Sequence, residues 1–90
     1  MSTETLDLLI MIIGIAGGLF LLTPYFLVSA GKLSGQSVVY QFLNILGSSL
    51  LFINTTYHGA YPTSVVNIVW AIIGIVTLVT ALRARAGKNA

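Results

Sequence analysis

Between Leu8 and Gly31, and again between Leu33 and Leu82, the chain contains no Asp, Glu, Lys or Arg, and only Lys32 interrupts this charge vacuum. A helix needs roughly 20 apolar residues to cross the hydrocarbon core of a bilayer, so the first run has room for one crossing and the second for two. Apolar residues make up 57% of the 90 and charged residues 7%, where a soluble domain carries about 25% charged residues. A soluble fold of this size has too little interior to hide that much apolar surface. The chain therefore reads as all-α, an integral membrane three-helix bundle, with residues 1–90 forming a single transmembrane domain.

The spans are expected at about residues 6–29, 37–57 and 63–82, followed by a basic tail over 83–90. Ala30-Gly31-Lys32-Leu33-Ser34-Gly35-Gln36 supplies the turn formers between the first two. His58-Gly59-Ala60-Tyr61-Pro62 makes a tight second turn, and Pro62 before Thr63 and Ser64 suits a helix start, where its missing N–H is unpaired anyway. The N-terminus carries Glu4 and Asp7 and no basic residue, unlike a cleaved leader, so the first span is expected to be retained. Three crossings place Lys32, Arg83, Arg85 and Lys88 on one side and the N-terminus with the His58 turn on the other. The positive-inside rule makes the basic side cytoplasmic and the N-terminus external, the arrangement of a multi-pass protein of a cell inner (plasma) membrane. Tyr57 and Tyr61 flank the outer turn, where an aromatic belt would sit.

Function has to be sought in the few polar side chains inside the spans. On the second helix Tyr40, Asn44, Gly47, Leu51 and Asn54 fall within roughly an 80° arc at 100° per residue, with Gln41, Ser48 and Thr55 along one flank. Exposing two Asn and a Gln to acyl chains is costly, so this stripe should face protein or water. On the third helix Asn67, Ala71 and Gly74 share a face bordered by Thr63 and Trp70. The first helix adds Gly14, Gly17 and Gly18, with a small-xxx-small pair at Gly14 and Gly18, and then Thr23-Pro24. Asn67, Asn44, Trp70 and Gln41 are the candidate solute-binding residues, and Pro24 is a candidate hinge because it frees a carbonyl one turn earlier.

Each feature also has a purely structural reading. Asn and Gln in spans serve as interhelical hydrogen-bond partners, spaced glycines mean close packing, and a proline can be a fixed kink. Asn54, near the outer end, reads as an interfacially hydrated side chain. His58 has no Cys, Asp or Glu near it in sequence, so neither a metal site nor a catalytic base is expected, and no enzyme activity or cofactor. The absence of cysteine removes disulfides and thiol–metal chemistry. A net charge of +2, concentrated at the C-terminus, does not point to nucleic acid.

Three helices leave a polar stripe only half covered, and self-association as a parallel homodimer is the expected remedy, enclosing both copies of Asn44 and Asn67 about a two-fold axis. The expected partners are membrane lipids, a second copy and a small polar solute. The chain resembles the SemiSWEET and PQ-loop half-transporters. It has three helices in 90 residues, an N-terminus expected outside, Gly35-Gln36-Ser37-Val38-Val39-Tyr40 opening the second helix, Gly47 within it, Val66-Asn67-Ile68-Val69 in the third, and a basic tail. The resemblance implies a solute hydrogen bond from Asn67. The family's Pro-Gln hinge is half kept as Pro24-Tyr25, and its stacking Trp falls at Leu51. Tyr40-Gln41-Phe42-Leu43-Asn44-Ile45-Leu46-Gly47, Tyr57-His58-Gly59-Ala60-Tyr61-Pro62 and Asn67-Ile68-Val69-Trp70 also resemble a group of small uncharacterised bacterial three-helix membrane proteins. The leading expectation is a bacterial inner-membrane, SemiSWEET-like transporter of a small neutral polar solute, working by alternating access. The alternative is a non-transporting accessory subunit that packs against a larger partner.

Overall fold

In the computed structural model, which describes residues 2–34 and 37–89, the three apolar runs are three helices: α1 (Thr3–Ser29), α2 (Val38–Tyr57) and α3 (Tyr61–Asn89). All three are long and apolar enough to cross a membrane. Gly35 and Gln36, which open the motif before α2, lie outside the described residues, as do Met1, Ala90 and the side chains of Lys88 and Asn89.

Local chemistry sets the helix ends. Ser2 caps α1, its Oγ accepting from the Thr5 amide at 3.1 Å, and Ser37 caps α2 by accepting from the Tyr40 amide at 3.0 Å. Both C-termini close with the same motif. Gly31 at φ 74 and Gly59 at φ 72 adopt the left-handed conformation that glycine alone enters without steric cost. The next two amides then reach back, Gly31 N–H to the Val28 carbonyl and Lys32 N–H to Leu27, and likewise Gly59 to Thr56 and Ala60 to Thr55. The helix begins at Tyr61, with Pro62 in its first turn. At the other end α3 runs on through the basic tail to Asn89 instead of stopping near Leu82. Ala84 and Ala86, each following an arginine, are strong helix formers, and charge governs where a helix leaves the membrane, not where it ends.

The middle helix is the hub. It packs against both neighbours, while among the described residues no Cα of α1 comes within 8 Å of one in α3. The bundle is therefore open. The residues of α2 that meet α1 (Gly47, Leu50, Leu51 and Asn54) and those that meet α3 (Gln41, Asn44, Ile45 and Thr55) are known from their close approaches. At 100° per residue the two sets are centred roughly 115° apart, so α1 and α3 lean to the same side of α2 and leave a trough between them. Tyr40, Leu51 and Asn44 fall midway between the sets, on the trough floor.

Burial is inverted relative to a soluble protein. Among the described residues the buried apolar side chains are Ile10, Pro24 and Ala71, whereas Gln41, Asn44, Ser48, Ser64 and Asn67 are all buried. Leu8, Ile15, Leu22, Phe42, Val65 and Val76 are each more than half exposed. Such a surface suits lipid, where apolar side chains face the solvent and small or polar ones face neighbouring helices.

Glycine makes the α1–α2 contact possible. A Cβ on Gly17 would lie 2.9 Å from the Gly47 carbonyl oxygen, and one on Gly47 would lie 2.8 Å from that of Gly17. Gly14 leaves the space that Asn54 fills, and Asn54 Nδ2 donates to the Ile10 carbonyl at 2.8 Å. Gly18, the other half of the small-xxx-small pair, faces open space, so the contact uses Gly14 and Gly17.

Candidate functional site

The polar side chains of α2 divide into two groups with different surroundings. Toward the α2–α3 turn they are joined to one another. Thr56 Oγ1 donates to Ser64 Oγ at 3.0 Å, Ser64 donates to Thr55 Oγ1 at 3.0 Å, and Thr55 donates to the Leu51 carbonyl at 2.7 Å. Asn67 Nδ2 reaches Thr55 Oγ1 at 3.5 Å, the long limit of a hydrogen bond. Asn67 is thus held in a chain of hydroxyls that ties α3 to α2. Across the hub Asn54 ties α2 to α1, so its amide is an interhelical donor and not the hydrated interfacial group that its sequence position suggested. At the same end the Tyr57 hydroxyl donates to Asp7 Oδ1 at 2.6 Å and the His58 ring meets Tyr57 edge-on, with centroids 5.2 Å apart.

About three turns along α2 toward its N-terminus the picture changes. A groove of about 310 Å³ opens between α2 and α3, lined by Tyr40, Gln41, Asn44, Trp70 and Ile73. That volume is at the lower end of what small-molecule sites use. Three of the four candidate binding residues, Asn44, Gln41 and Trp70, come together here, whereas Asn67 does not line the groove. Gly74 lets α3 approach this level, since a Cβ there would lie 3.0 Å from Asn44 Nδ2 and 3.5 Å from Gln41 Oε1. Gln41 is already partnered, but no hydrogen bond joins the Asn44 side chain to another described residue. One turn further along α2, the fully buried Ser48 hydroxyl has no partner either among the described residues. Trp70 presents its ring at the groove while more than half exposed.

Pro24 lies inside an unbroken α1 and is fully buried. It stands one turn beyond Leu21, whose side chain packs where a Gly47 Cβ would be. Among the described residues no group of three or more His, Asp or Glu gathers as metal ligands would. The hydroxyl chain and the Asn54 bond escape sequence reasoning. The only trace was Ser64, Thr55 and Thr56 near one turn, a composition equally common in helix caps.

An inside-out burial pattern, three helices of spanning length and a polar-floored groove define a small membrane protein with three candidate spans. A family model matches residues 10–85, and the chain belongs to that family, a small one whose role is uncharacterised. No curated protein matches it, and no solved structure does. Nothing in these comparisons ties the chain to SemiSWEET or PQ-loop proteins.

Proposed function

We propose that this protein binds a small neutral polar solute in the α2–α3 groove and carries it across the membrane as a homodimer, a second copy closing the trough. The observation that carries the reading is Asn44, whose amide lies within a span, borders the groove and is bonded by no described residue. An amide left unpaired in hydrocarbon costs several kcal/mol, of order 4–8 on the scale in which nothing can hydrogen-bond, so a polar occupant of the groove is favoured. Gln41 and the Tyr40 side chain add polarity on one wall, and Trp70 and Ile73 supply an apolar one. Among the described residues no charged side chain lines the groove, so an ionic solute would find no counter-charge from them.

Pro24 has no N–H to give the carbonyl one turn earlier, which makes it the point where α1 bends most easily between an outward and an inward state. The basic residues set the orientation, with the N-terminus outside and the α3 tail in the cytoplasm of a plasma-membrane protein. No catalytic step belongs to this function.

One observation favours a second reading, a non-transporting accessory subunit: Asn54, Thr55, Ser64 and Asn67 are all used in bonds between helices. Under that reading a polar residue of a larger partner satisfies Asn44. The two are separated by a thermal-shift screen of sugars, polyols and neutral amino acids on purified protein in lipid. The transport reading expects a shift that Asn44→Leu abolishes and Asn67→Leu preserves, with the wild type dimeric. A wild type that no solute shifts, an Asn44→Leu variant that still responds, or a monomer in lipid would each remove it.

A further inference from the structure

The unequal lengths of the helices place charge at a definite depth. With 20 residues α2 is about 30 Å long, the thickness of the hydrocarbon core. With 29 residues α3 is about 43 Å long, roughly 13 Å more than the core. The excess is all at one end, because α2 and α3 are joined by a tight turn at the other. The antiparallel register follows from Ser64 meeting Thr55 and Thr56, and from Gly74 meeting Asn44 and Ile45. Continued toward the C-terminus, it sets Ala81 level with Val38, the first residue of α2. Arg83 and Arg85 then stand roughly 3 and 6 Å beyond that level at 1.5 Å per residue, inside a headgroup layer roughly 5–8 Å deep.

The same layer receives Lys32. Gly17 lies opposite Gly47 and Leu21 packs beside it, a register that brings the end of α1 level with the start of α2. Lys32 is exposed in the turn just past that end, and Arg83 and Arg85 are exposed two residues apart, hence on nearly opposite sides of α3. Both acidic residues of the chain, Glu4 and Asp7, are at the other end, and Asp7 accepts from Tyr57. Among the described residues no ion pair engages Lys32, Arg83 or Arg85. Three cations without counter-charges are therefore held at phosphate depth on rigid or tightly turned backbone.

We infer that Lys32, Arg83 and Arg85 form a collar that selectively binds anionic phospholipid headgroups at the end of the molecule opposite Asp7. Guanidinium groups pair with phosphate oxygens through two parallel N–H bonds, and zwitterionic lipids offer the same phosphate masked by their own cation. Each basic residue near an anionic surface contributes about fivefold in binding, so three predict an enrichment of one to two orders of magnitude. The full chain is to be purified in detergent and given equimolar phosphatidylglycerol and phosphatidylcholine of identical acyl chains, with bound lipid counted by native mass spectrometry. The wild type should prefer phosphatidylglycerol at least tenfold, and 1 M NaCl should reduce that preference. The combined K32Q, R83Q and R85Q variant should lose it, while R83K with R85K retains most of it and reports on folding. Excess inorganic phosphate should not compete, because a free ion lacks the acyl anchor. Equal binding of the two lipids by the wild type overturns the inference. So does a preference that survives the triple substitution, and so does equal loss in the lysine and glutamine variants.

Discussion

Gly47→Ala tests the hub most directly, because the contact it disturbs is backbone against backbone. The added Cβ would lie 2.8 Å from the Gly17 carbonyl oxygen, 2.9 Å from Leu21 Cγ and 3.1 Å from Leu21 Cδ2. Leu21 can rotate away, but the carbonyl belongs to α1 itself, so relief requires the two helices to separate by about 0.6 Å to reach ordinary contact distance. Forced expansion of a packed interface of this kind costs about 1–3 kcal/mol. The better helix propensity of alanine returns at most about 1 kcal/mol, and less in a bilayer, where the backbone has no alternative to helix. A net loss of about 1–2 kcal/mol is expected in an SDS-titration unfolding experiment in mixed micelles. Gly18→Ala is the matched control, since its Cβ meets nothing within 4 Å. Equal stability of the two variants, or a more stable Gly47→Ala, would refute the close approach of α1 and α2 on which the open arrangement depends.

Gly14→Ala should displace the Asn54 amide, which would lie 2.5 Å from the new methyl, and break its bond to Ile10; the expected cost of about 1 kcal/mol should shrink toward zero in an Asn54→Ala background. Thr55→Val removes the hub of the hydroxyl chain at constant shape and should cost about 0.6–1.7 kcal/mol in the same titration. Thr77→Val, which loses only a bond to the Ile73 carbonyl of its own helix, should cost less, and equal losses would show that the chain does not join α2 to α3. Single cysteines at Ser2→Cys and Gly87→Cys should react with an impermeant maleimide from opposite sides of the membrane, Ser2→Cys from outside; labelling of both from one side would remove the three-crossing topology.

The spans were legible because charge is the most expensive thing to place in hydrocarbon, and its absence over two long runs leaves few alternatives. The turns were legible at Gly31 and Gly59 because a left-handed residue after an apolar run is a local requirement. Which helix would be central was not legible. Gly14, Gly17 and Gly18 lie within roughly 120° of one another on α1, and sequence spacing does not say which of them another backbone will touch. The α2 face that meets α1 and the one that meets α3 are likewise known only once both neighbours are in place. Asn54 shows the same gap, since its bonding partner is a backbone carbonyl of α1 and a carbonyl leaves no mark in composition.

The division within the polar stripe of α2 bears on function more than its existence does. A stripe that only glued helices together would be spent on its neighbours along its whole length, and from Leu51 to Thr56 it is, through Asn54, Thr55 and Thr56. Along the preceding turns the accounting does not close. Asn44 and Ser48 have no bonding partner among the described residues although both are buried, and Gly74 holds α3 close enough that Asn44 borders a groove instead of lying under a side chain. An alanine at Gly74, pressed against Asn44, separates the possibilities. If Asn44 awaits only a packing partner, Gly74→Ala, whose methyl would lie 2.9 Å from Ile45 Cγ1 and 3.0 Å from Asn44 Nδ2, weakens assembly and stability together. If Asn44 serves a solute, the same substitution removes the solute-dependent thermal shift at a smaller stability cost than Gly47→Ala, because a side chain rather than a backbone has to give way.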